Sequence, residues 1–102
     1  MLAEFSIIPV GDGISISSHV AKVAKIIDES GLNYRINPMA TVVEGEIDEV
    51  FSLIKKCHQR MMQDVQRVSI SITIDDRKDK KSPRMDKKLA SVEEKIGKSL
   101  RK

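Results

Sequence analysis

Residues 34–50 read YRINPMATVVEGEIDEV, and this stretch decides between the folds open to the chain. Two short runs of alternating apolar and polar residues, at about 33–38 and 41–45, flank a tight connection that contains Pro38. Alternation favours strands, and so short a connection makes them an antiparallel hairpin. After Gly45 the apolar period becomes helical, with acidic residues in the first turn, where the helix dipole favours them. The stretch predicts a β-hairpin followed directly by a helix.

The segments on either side of this stretch supply two more strands and another helix. Residues 2–9 alternate apolar and polar side chains, which predicts a strand. Residues 17–30 carry apolar side chains at helical spacing and end at Gly31, a residue suited to closing a helix. The helix after the hairpin is expected over 47–62, and residues 67–75, RVSISITID, alternate throughout. The predicted order is therefore βαββαβ.

This order is typical of the ferredoxin-like fold, an α+β class in which both helices pack on one face of a four-stranded antiparallel sheet. A chain of 102 residues is long enough for one domain. We expect a single domain over 1–102, with a core over 1–75. A loop over 76–84 then leads to an extra C-terminal helix and tail over 85–102.

One face of the predicted sheet is left without a helix. Ala3, Phe5 and Ile7 share one side of the first strand with the Ile and Val series of the fourth, so these residues are expected to face the helices. The opposite face would present small polar groups with one carboxylate, namely Glu4, Ser6, Ser69, Ser71 and Thr73, with Asn37, Thr41 and Glu44 nearby. Small side chains allow a second sheet to approach, which favours an oligomer with facing sheets over a sheet face open to water.

Composition and charge narrow the class of protein. Forty per cent of residues are hydrophobic and 32% are charged, as in a soluble globular protein, and neither a leader peptide nor a membrane span is predicted, so a cytoplasmic location is expected. Residues 1–75 carry seven Lys or Arg against ten Asp or Glu, whereas 76–102 carry eleven against five. The basic run at residues 76–88, DRKDKKSPRMDKK, mixes both signs of charge and lacks aromatic residues for base stacking. We therefore interpret it as a solvated segment and expect no nucleic acid partner.

The reactive side chains are few. Cys57 is the single cysteine, and the only histidines are His19 and His58, too few and too scattered for a metal cluster. Residues 11–13, GDG, lack the longer glycine pattern of a phosphate loop. We therefore expect no metal, no cofactor and no catalysis. Cys57 is interpreted as a small buried residue, His58 as lying at a helix margin, and Tyr34 as a packed strand residue whose hydroxyl reaches the sheet edge.

Several motifs resemble those of the thiamine-binding protein family, including its methanogen and yeast members, once grouped as a domain of unknown function. The resemblance extends over almost the full length in the same order and spacing, through PVG at 9–11, SGLNY at 30–34, PMATVVEGE at 38–46, DEV at 48–50, KKCH at 55–58, RV at 67–68, IDDR at 74–77 and SVEEKIG at 91–97. It implies a ferredoxin-like subunit, homotetramers built as dimers of dimers, and binding of thiamine or its hydroxymethyl-pyrimidine half in some members.

The implied role is a non-enzymatic carrier, buffer or sensor of that ligand. A structural or regulatory oligomer, whose open sheet face serves only assembly, is the alternative. An aminopyrimidine and a thiazolium cation suit a pocket with a carboxylate and several hydroxyl or amide groups. The residues hypothesised to contact the ligand are Glu4, Ser6, Asn37, Thr41, Glu44 and Ser71. The family usually has glycine where this chain has Ala40, so either a strained turn or a narrower pocket is expected there.

Overall fold

The computed structural model describes residues 1–11, 16–79 and 83–101. Gly13 and Ser15 of the first loop lie outside the described residues. Every helix and strand begins and ends within two residues of its predicted position, and the α+β, ferredoxin-like class is confirmed. In chain order the elements are β1 Leu2–Pro9, α1 Ile16–Glu29, β2 Asn33–Ile36, β3 Thr41–Glu44, α2 Ile47–Met62, β4 Val68–Asp75 and α3 Met85–Ile96.

The four strands form one antiparallel sheet in the order β2-β3-β1-β4. β1 pairs with β4 along its whole length, from Leu2 opposite Asp75 to Pro9 opposite Val68. Its pairing with β3 covers only residues 2–5. Among the described residues, no strand therefore lies beside the second half of β1 on the side of the hairpin.

The hydrophobic core fills the space between the sheet and the two main helices. Strand register places Ala3, Phe5 and Ile7 on this side, as predicted, together with Val43, which is fully buried. Burial of such side chains stabilises the fold by roughly 1.5–3 kcal/mol each. The buried core residues are Met1, Ala3, Phe5, Ile7, Val23, Ile27, Val43, Val50, Leu53, Ile54, Cys57, Met61 and Val65.

The buried face of α2 is partly turned from the predicted one. The apolar pattern of residues 47–62 predicts one buried stripe of Ile47, Val50, Phe51, Ile54, Cys57, His58 and Met61. Val50, Ile54, Cys57 and Met61 are buried as predicted, whereas Ile47, Phe51 and His58 are exposed, with Ile47 54% and Phe51 42% accessible. Leu53, which the prediction omitted, is buried instead. α2 packs against α1 as well as the sheet. The two contacts together set the orientation of its buried face, and the sequence pattern alone does not contain that information.

The junction between β3 and α2 has little space. The backbone N–H of Glu46 donates to Oε1 of Glu49 at 2.9 Å, so a first-turn carboxylate satisfies a donor just before the helix. A Cβ at Gly45 would lie 3.2 Å from Cδ2 of Leu32. The predicted bend at Gly45 is thus combined with close packing against the α1–β2 connection.

The edge strand β4 is only partly covered. Its side chains of the Ile and Val series lie on the helix side, as predicted, and Val68 and Ile70 pack against the core. Ile72 and Ile74 are 40% and 41% exposed. An apolar edge of this kind is a common site of association between chains.

α3 begins on the sheet face opposite α1 and α2. Arg84 and Met85 are buried there, as is Leu2 at that end of the sheet. Further along α3, Val92 and Ile96 are about half exposed, and Gly97 ends the helix with φ 74°. The radius of gyration is 15.2 Å, larger than the roughly 13 Å expected for a compact chain of this length. α3 is therefore anchored by its first residues and projects from the body of the domain.

Candidate functional site

A cleft of about 290 Å³ lies at one end of the sheet, between α1, the β2–β3 hairpin and the second half of β1. We call it the hairpin cleft. Most of its lining is apolar, and Ser6, Asn37 and Thr41 supply polar side chains. Its lining residues are Phe5, Ser6, Ile7, Ile8, Ile16, Val20, Val23, Ala24, Ile27, Ile36, Asn37, Pro38, Met39, Ala40 and Thr41. Apolar walls with a few polar groups are characteristic of small-molecule sites.

The unpaired half of β1 adds backbone groups to the polar lining. β3 reaches only as far as Phe5 along β1, and the cleft is lined by β1 residues 5–8. Successive residues of a strand direct their N–H and C=O groups to opposite edges. Beyond Phe5, those directed toward the hairpin have no strand partner in the part of the chain that the structure describes, and backbone polar groups away from a ladder require another partner. The cleft thus places backbone donors and acceptors beside an apolar wall.

The hairpin turn forms the mouth of this cleft. The N–H of Asn37 donates to the carbonyl of Ala40 at 3.0 Å, which closes the turn. No described residue other than glycine has a positive φ. The expectation of a strained backbone at Ala40 is therefore wrong, because the turn does not use the left-handed conformation that glycine favours. Ala40 is among the residues that line the cleft, and a pocket narrowed by its methyl group stays a prediction.

The six predicted ligand residues fall into three groups. Glu4, Ser6 and Ser71 lie on the open face of the sheet, where Glu4 is opposite Thr73 and Ser6 is opposite Ser71. Ser6 also lines the hairpin cleft from the strand edge.

Asn37 and Thr41 form the second group, in the cleft. Thr41 pairs with Phe5 and so lies on the helix side of the sheet, which corrects its expected place near the open face. The register between β1 and β3 decides this point.

Glu44 forms the third group. Its carboxylate was expected to be accessible to a ligand, and the structure corrects this expectation. The side chain is on the open face but buried, with 5% of the residue exposed. Its Oε2 accepts the backbone N–H of Arg84 at 2.5 Å, and its Oε1 accepts that of Met85 at 3.4 Å. These N–H groups belong to the start of α3, where helices leave donors unsatisfied. Glu44 therefore holds α3 on the sheet.

An ion-pair cluster beside Glu44 was missed by sequence reasoning. The Arg84 guanidinium donates to the backbone carbonyl of Asp75 at 3.0 Å and to its Oδ2 at 2.8 Å, while the Arg84 side chain is only 6% exposed. Hydrogen bonding from Arg84 is the main reason that the pKa of Asp75 lies below its usual range. Arg35 on β2 donates to Asp86 at 2.5 Å. The partners are far apart in sequence, so no local pattern indicates them.

The environments of Cys57, His58 and Tyr34 do not indicate catalysis. Burial raises the pKa of the Cys57 thiol to about 11, which disfavours the nucleophilic thiolate. Its neighbour His58 is exposed on another side of α2. The Tyr34 hydroxyl donates to Oδ1 of Asp28 at 2.6 Å, and this hydrogen bond raises the tyrosine pKa. Within the described ranges, no group of three or more His, Cys, Asp or Glu is arranged to hold a metal ion.

Comparison with known proteins defines the family. The model of the family described as "Thiamine-binding protein" matches residues 3–93. The chain belongs to this family. A UPF0045 protein of Methanocaldococcus jannaschii is 39% identical over 94 residues, which cover 92% of this chain and 93% of the relative. The UPF0045 protein YqgV of Bacillus subtilis is 38% identical over 97 residues, covering 89% and 92%.

Solved structures share the fold. The crystal structure of the M. jannaschii protein superimposes with a TM-score of 0.81 at 40% identity, covering 91% of this chain and 95% of the other. A Thermotoga maritima structure, described as a putative thiamine biosynthesis/salvage protein, superimposes with a TM-score of 0.77 at 19% identity, covering 89% and 96%. The family is named for binding a ligand and not for a reaction. None of the helices in the described ranges is long and apolar enough to span a membrane.

Proposed function

We propose that this chain is a non-enzymatic binder of thiamine or its hydroxymethyl-pyrimidine half, acting in the cytoplasm as a carrier, buffer or sensor. The observation that carries the proposal is the hairpin cleft, which combines apolar walls, the side chains of Asn37 and Thr41, and backbone groups of an unpaired strand half. The family name and the description of the T. maritima structure support the choice of ligand.

The chemistry of the cleft fits a pyrimidine ring. An aminopyrimidine has flat apolar faces, ring nitrogens that accept hydrogen bonds and an amino group that donates them. Ile8, Val20 and Ile36 are partly exposed and offer apolar surface for the ring faces. The Thr41 hydroxyl and the Asn37 amide can each donate or accept at the ring edge. A cleft of about 290 Å³ lies just below the usual range for ligand pockets, about 300–1,000 Å³. The smaller pyrimidine half is therefore a suitable occupant as well as thiamine.

The open face has a second part in the proposal. We place Glu4, Ser6 and Ser71 where two sheets meet in a homotetramer built as a dimer of dimers. Small hydroxyl side chains permit close approach of sheets, and the exposed Glu4 carboxylate offers a partner for the thiazolium cation or the amino group. Half-exposed Ile96 on α3, and Ile72 and Ile74 on β4, supply apolar surface for association. Glu44 acts in this proposal as a positioning residue for α3.

Isothermal titration with thiamine and with the hydroxymethyl-pyrimidine, combined with light scattering, tests the proposal. Saturable binding near one ligand per subunit or per pair of subunits is expected, in particles of four times the 11.4 kDa chain mass. Thr41→Val removes a hydrogen-bonding group with little change in volume and should weaken binding about 2- to 12-fold. Ser52→Ala removes a hydroxyl from the exposed side of α2, outside the cleft and the open face, and is the control that should leave the dissociation constant within twofold.

The variants also separate the two surfaces. If Glu4→Gln and Ser71→Ala reduce the affinity while Thr41→Val and Asn37→Ala do not, the ligand binds at the open face and the cleft assignment is wrong. A tetramer that gives no heat with either ligand would contradict the binding function. That result would favour the second candidate, a structural or regulatory oligomer, for which the exposed apolar residues of α3 and β4 are the specific observation.

A further inference from the structure

A second cleft, of about 640 Å³, lies at the other end of the sheet from the hairpin cleft. It is formed by the end of β4 and one side of α3, and its lining residues are Asp75, Arg77, Arg84, Lys87, Lys88, Ser91 and Val92. We call it the basic cleft. Asp75 pairs with Leu2 at the start of β1, whereas the hairpin cleft begins at Phe5 and extends toward Ile8. The two clefts are therefore separate sites.

The cations of the basic cleft follow helical spacing. Arg84, Lys87, Lys88, Ser91 and Val92 are related by steps of three and four residues, so they form one stripe along α3. Arg77 approaches from the end of β4. The stripe begins at the first turn of α3, where the helix dipole adds positive potential. Four cationic side chains thus surround one concave surface.

The carboxylate in the cleft does not cancel this charge. Asp75 lies 2.8 Å from Nη2 of Arg84 and 3.8 Å from Nζ of Lys88, so one anion is shared by two cations. Arg77 pairs with Asp79, which is not among the residues that line the cleft. Lys87 and Lys88 are exposed and can turn toward a ligand. The lining therefore has an excess of positive charge.

Arg84 gives the cleft a fixed element. Its backbone is held by Glu44 and its guanidinium by Asp75, with the side chain 6% exposed. A guanidinium has five N–H donors in a planar fork, and its contacts with Asp75 are made through Nη1 and Nη2. A preorganised arginine loses less conformational entropy on binding than a free one.

We propose that the basic cleft binds the phosphate group of a small phosphorylated molecule. Arginine and lysine donors are the groups that recognise phosphate oxygens, and the Ser91 hydroxyl adds a neutral donor one turn further along α3. Val92 offers apolar surface to the part of the molecule that carries the phosphate. This inference is independent of thiamine binding in the hairpin cleft, since it concerns other residues and another ligand chemistry.

Titration of the full chain with inorganic phosphate and pyrophosphate tests the assignment. Binding is followed by calorimetry and by amide chemical shifts, at low and at physiological salt. We expect saturable binding, tighter for pyrophosphate, with shifts centred on residues 84–92. The double variant Lys87→Gln/Lys88→Gln should weaken pyrophosphate binding about tenfold. The matched variant Lys95→Gln/Lys98→Gln removes the same charge from the last turn of α3 and the residues just after it, and should change pyrophosphate binding less than twofold.

Three results would overturn the proposal. Equal losses in the two double variants would show a diffuse positive field and no site. Absence of saturation with either probe would show that the cleft does not hold phosphate. Binding of a single-stranded oligonucleotide that displaces pyrophosphate, with shifts spread along the whole of α3, would assign the surface to a polyanion. All substituted lysines are exposed, so the variants are expected to fold, and circular dichroism checks that they do.

Discussion

Replacing Glu44 with alanine is expected to release α3 from the sheet while the four-stranded core stays folded. The Glu44 carboxylate is buried and accepts the backbone N–H groups of Arg84 and Met85. Alanine leaves both donors without this acceptor. Apart from this contact, α3 is held near its start by the Arg84–Asp75 and Arg35–Asp86 pairs. Loss of the carboxylate therefore affects the main anchor of a projecting helix.

The expected size of the effect is set by the two donors. A buried donor left unsatisfied costs about 1–3 kcal/mol, and the Met85 contact at 3.4 Å is the weaker one, so the total is about 2–4 kcal/mol. Local opening of α3 exposes the donors to water and limits the cost to that segment. Since 1.4 kcal/mol is a factor of ten, amide exchange in α3 should accelerate about 30- to 700-fold.

Hydrogen exchange resolved along the chain is the appropriate assay. Exchange in β1 and β3 should stay within about threefold of the parent protein, because the core on the helix side does not involve Glu44. Glu4→Ala, measured without ligand, is the control, since it removes an exposed carboxylate from the neighbouring strand. Unchanged protection of α3 in Glu44→Ala would refute the anchoring role. Loss of thiamine binding with α3 still protected would instead make Glu44 a direct ligand contact.

Three further predictions concern other residues. The pKa of Asp75 is lowered in the folded protein, so its contribution to α3 docking is present above the unfolded pKa near 4 and is lost as the pH falls through the folded pKa. Amide exchange in α3 should therefore accelerate below about pH 4. Asp75→Asn should remove the part of this pH dependence that comes from Asp75. Cys57 should resist iodoacetamide at pH 8 in the folded protein and react on denaturation, and rapid native labelling would contradict its burial. Ala40→Gly should lower the free energy of unfolding by about 0.4–1 kcal/mol, because Ala40 has an unstrained backbone and glycine gives the unfolded chain more freedom. The same change should tighten thiamine binding by widening the cleft. Weaker binding in calorimetry would show that the methyl group contributes a contact.

Sequence periodicity contained most of the fold. The alternation of residues 67–75 and the helical spacing of residues 17–30 each indicate one element, because side-chain direction repeats every two residues in a strand and every 3.6 in a helix. The turn at Pro38 and the glycines at 31 and 45 gave the boundaries. The phase of α2 could not be predicted in the same way, because Leu53 and Phe51 are both apolar and only the position of α1 decides which one is buried.

The candidate site was only partly predictable. Asn37, Thr41 and Ser6 were singled out as polar groups on or near the open face of the sheet, whereas the structure brings them to one cleft at its end. β3 ends opposite Phe5 and leaves the second half of β1 without a partner in β3. This depends on strand register, which the local sequence pattern does not fix for a hairpin with apolar residues on both faces.

The sequence by itself determined the order of elements, the separation of an acidic body from a basic tail, and the membership of a family, since these depend on local pattern and composition. Only the tertiary structure decided what Glu44 and Arg84 do. Their partners lie 40 and nine residues away, and both contacts form when α3 is placed on the open side of the sheet. Burial then turns a carboxylate that the sequence offered to a ligand into an acceptor for the helix, because a buried backbone donor requires a partner.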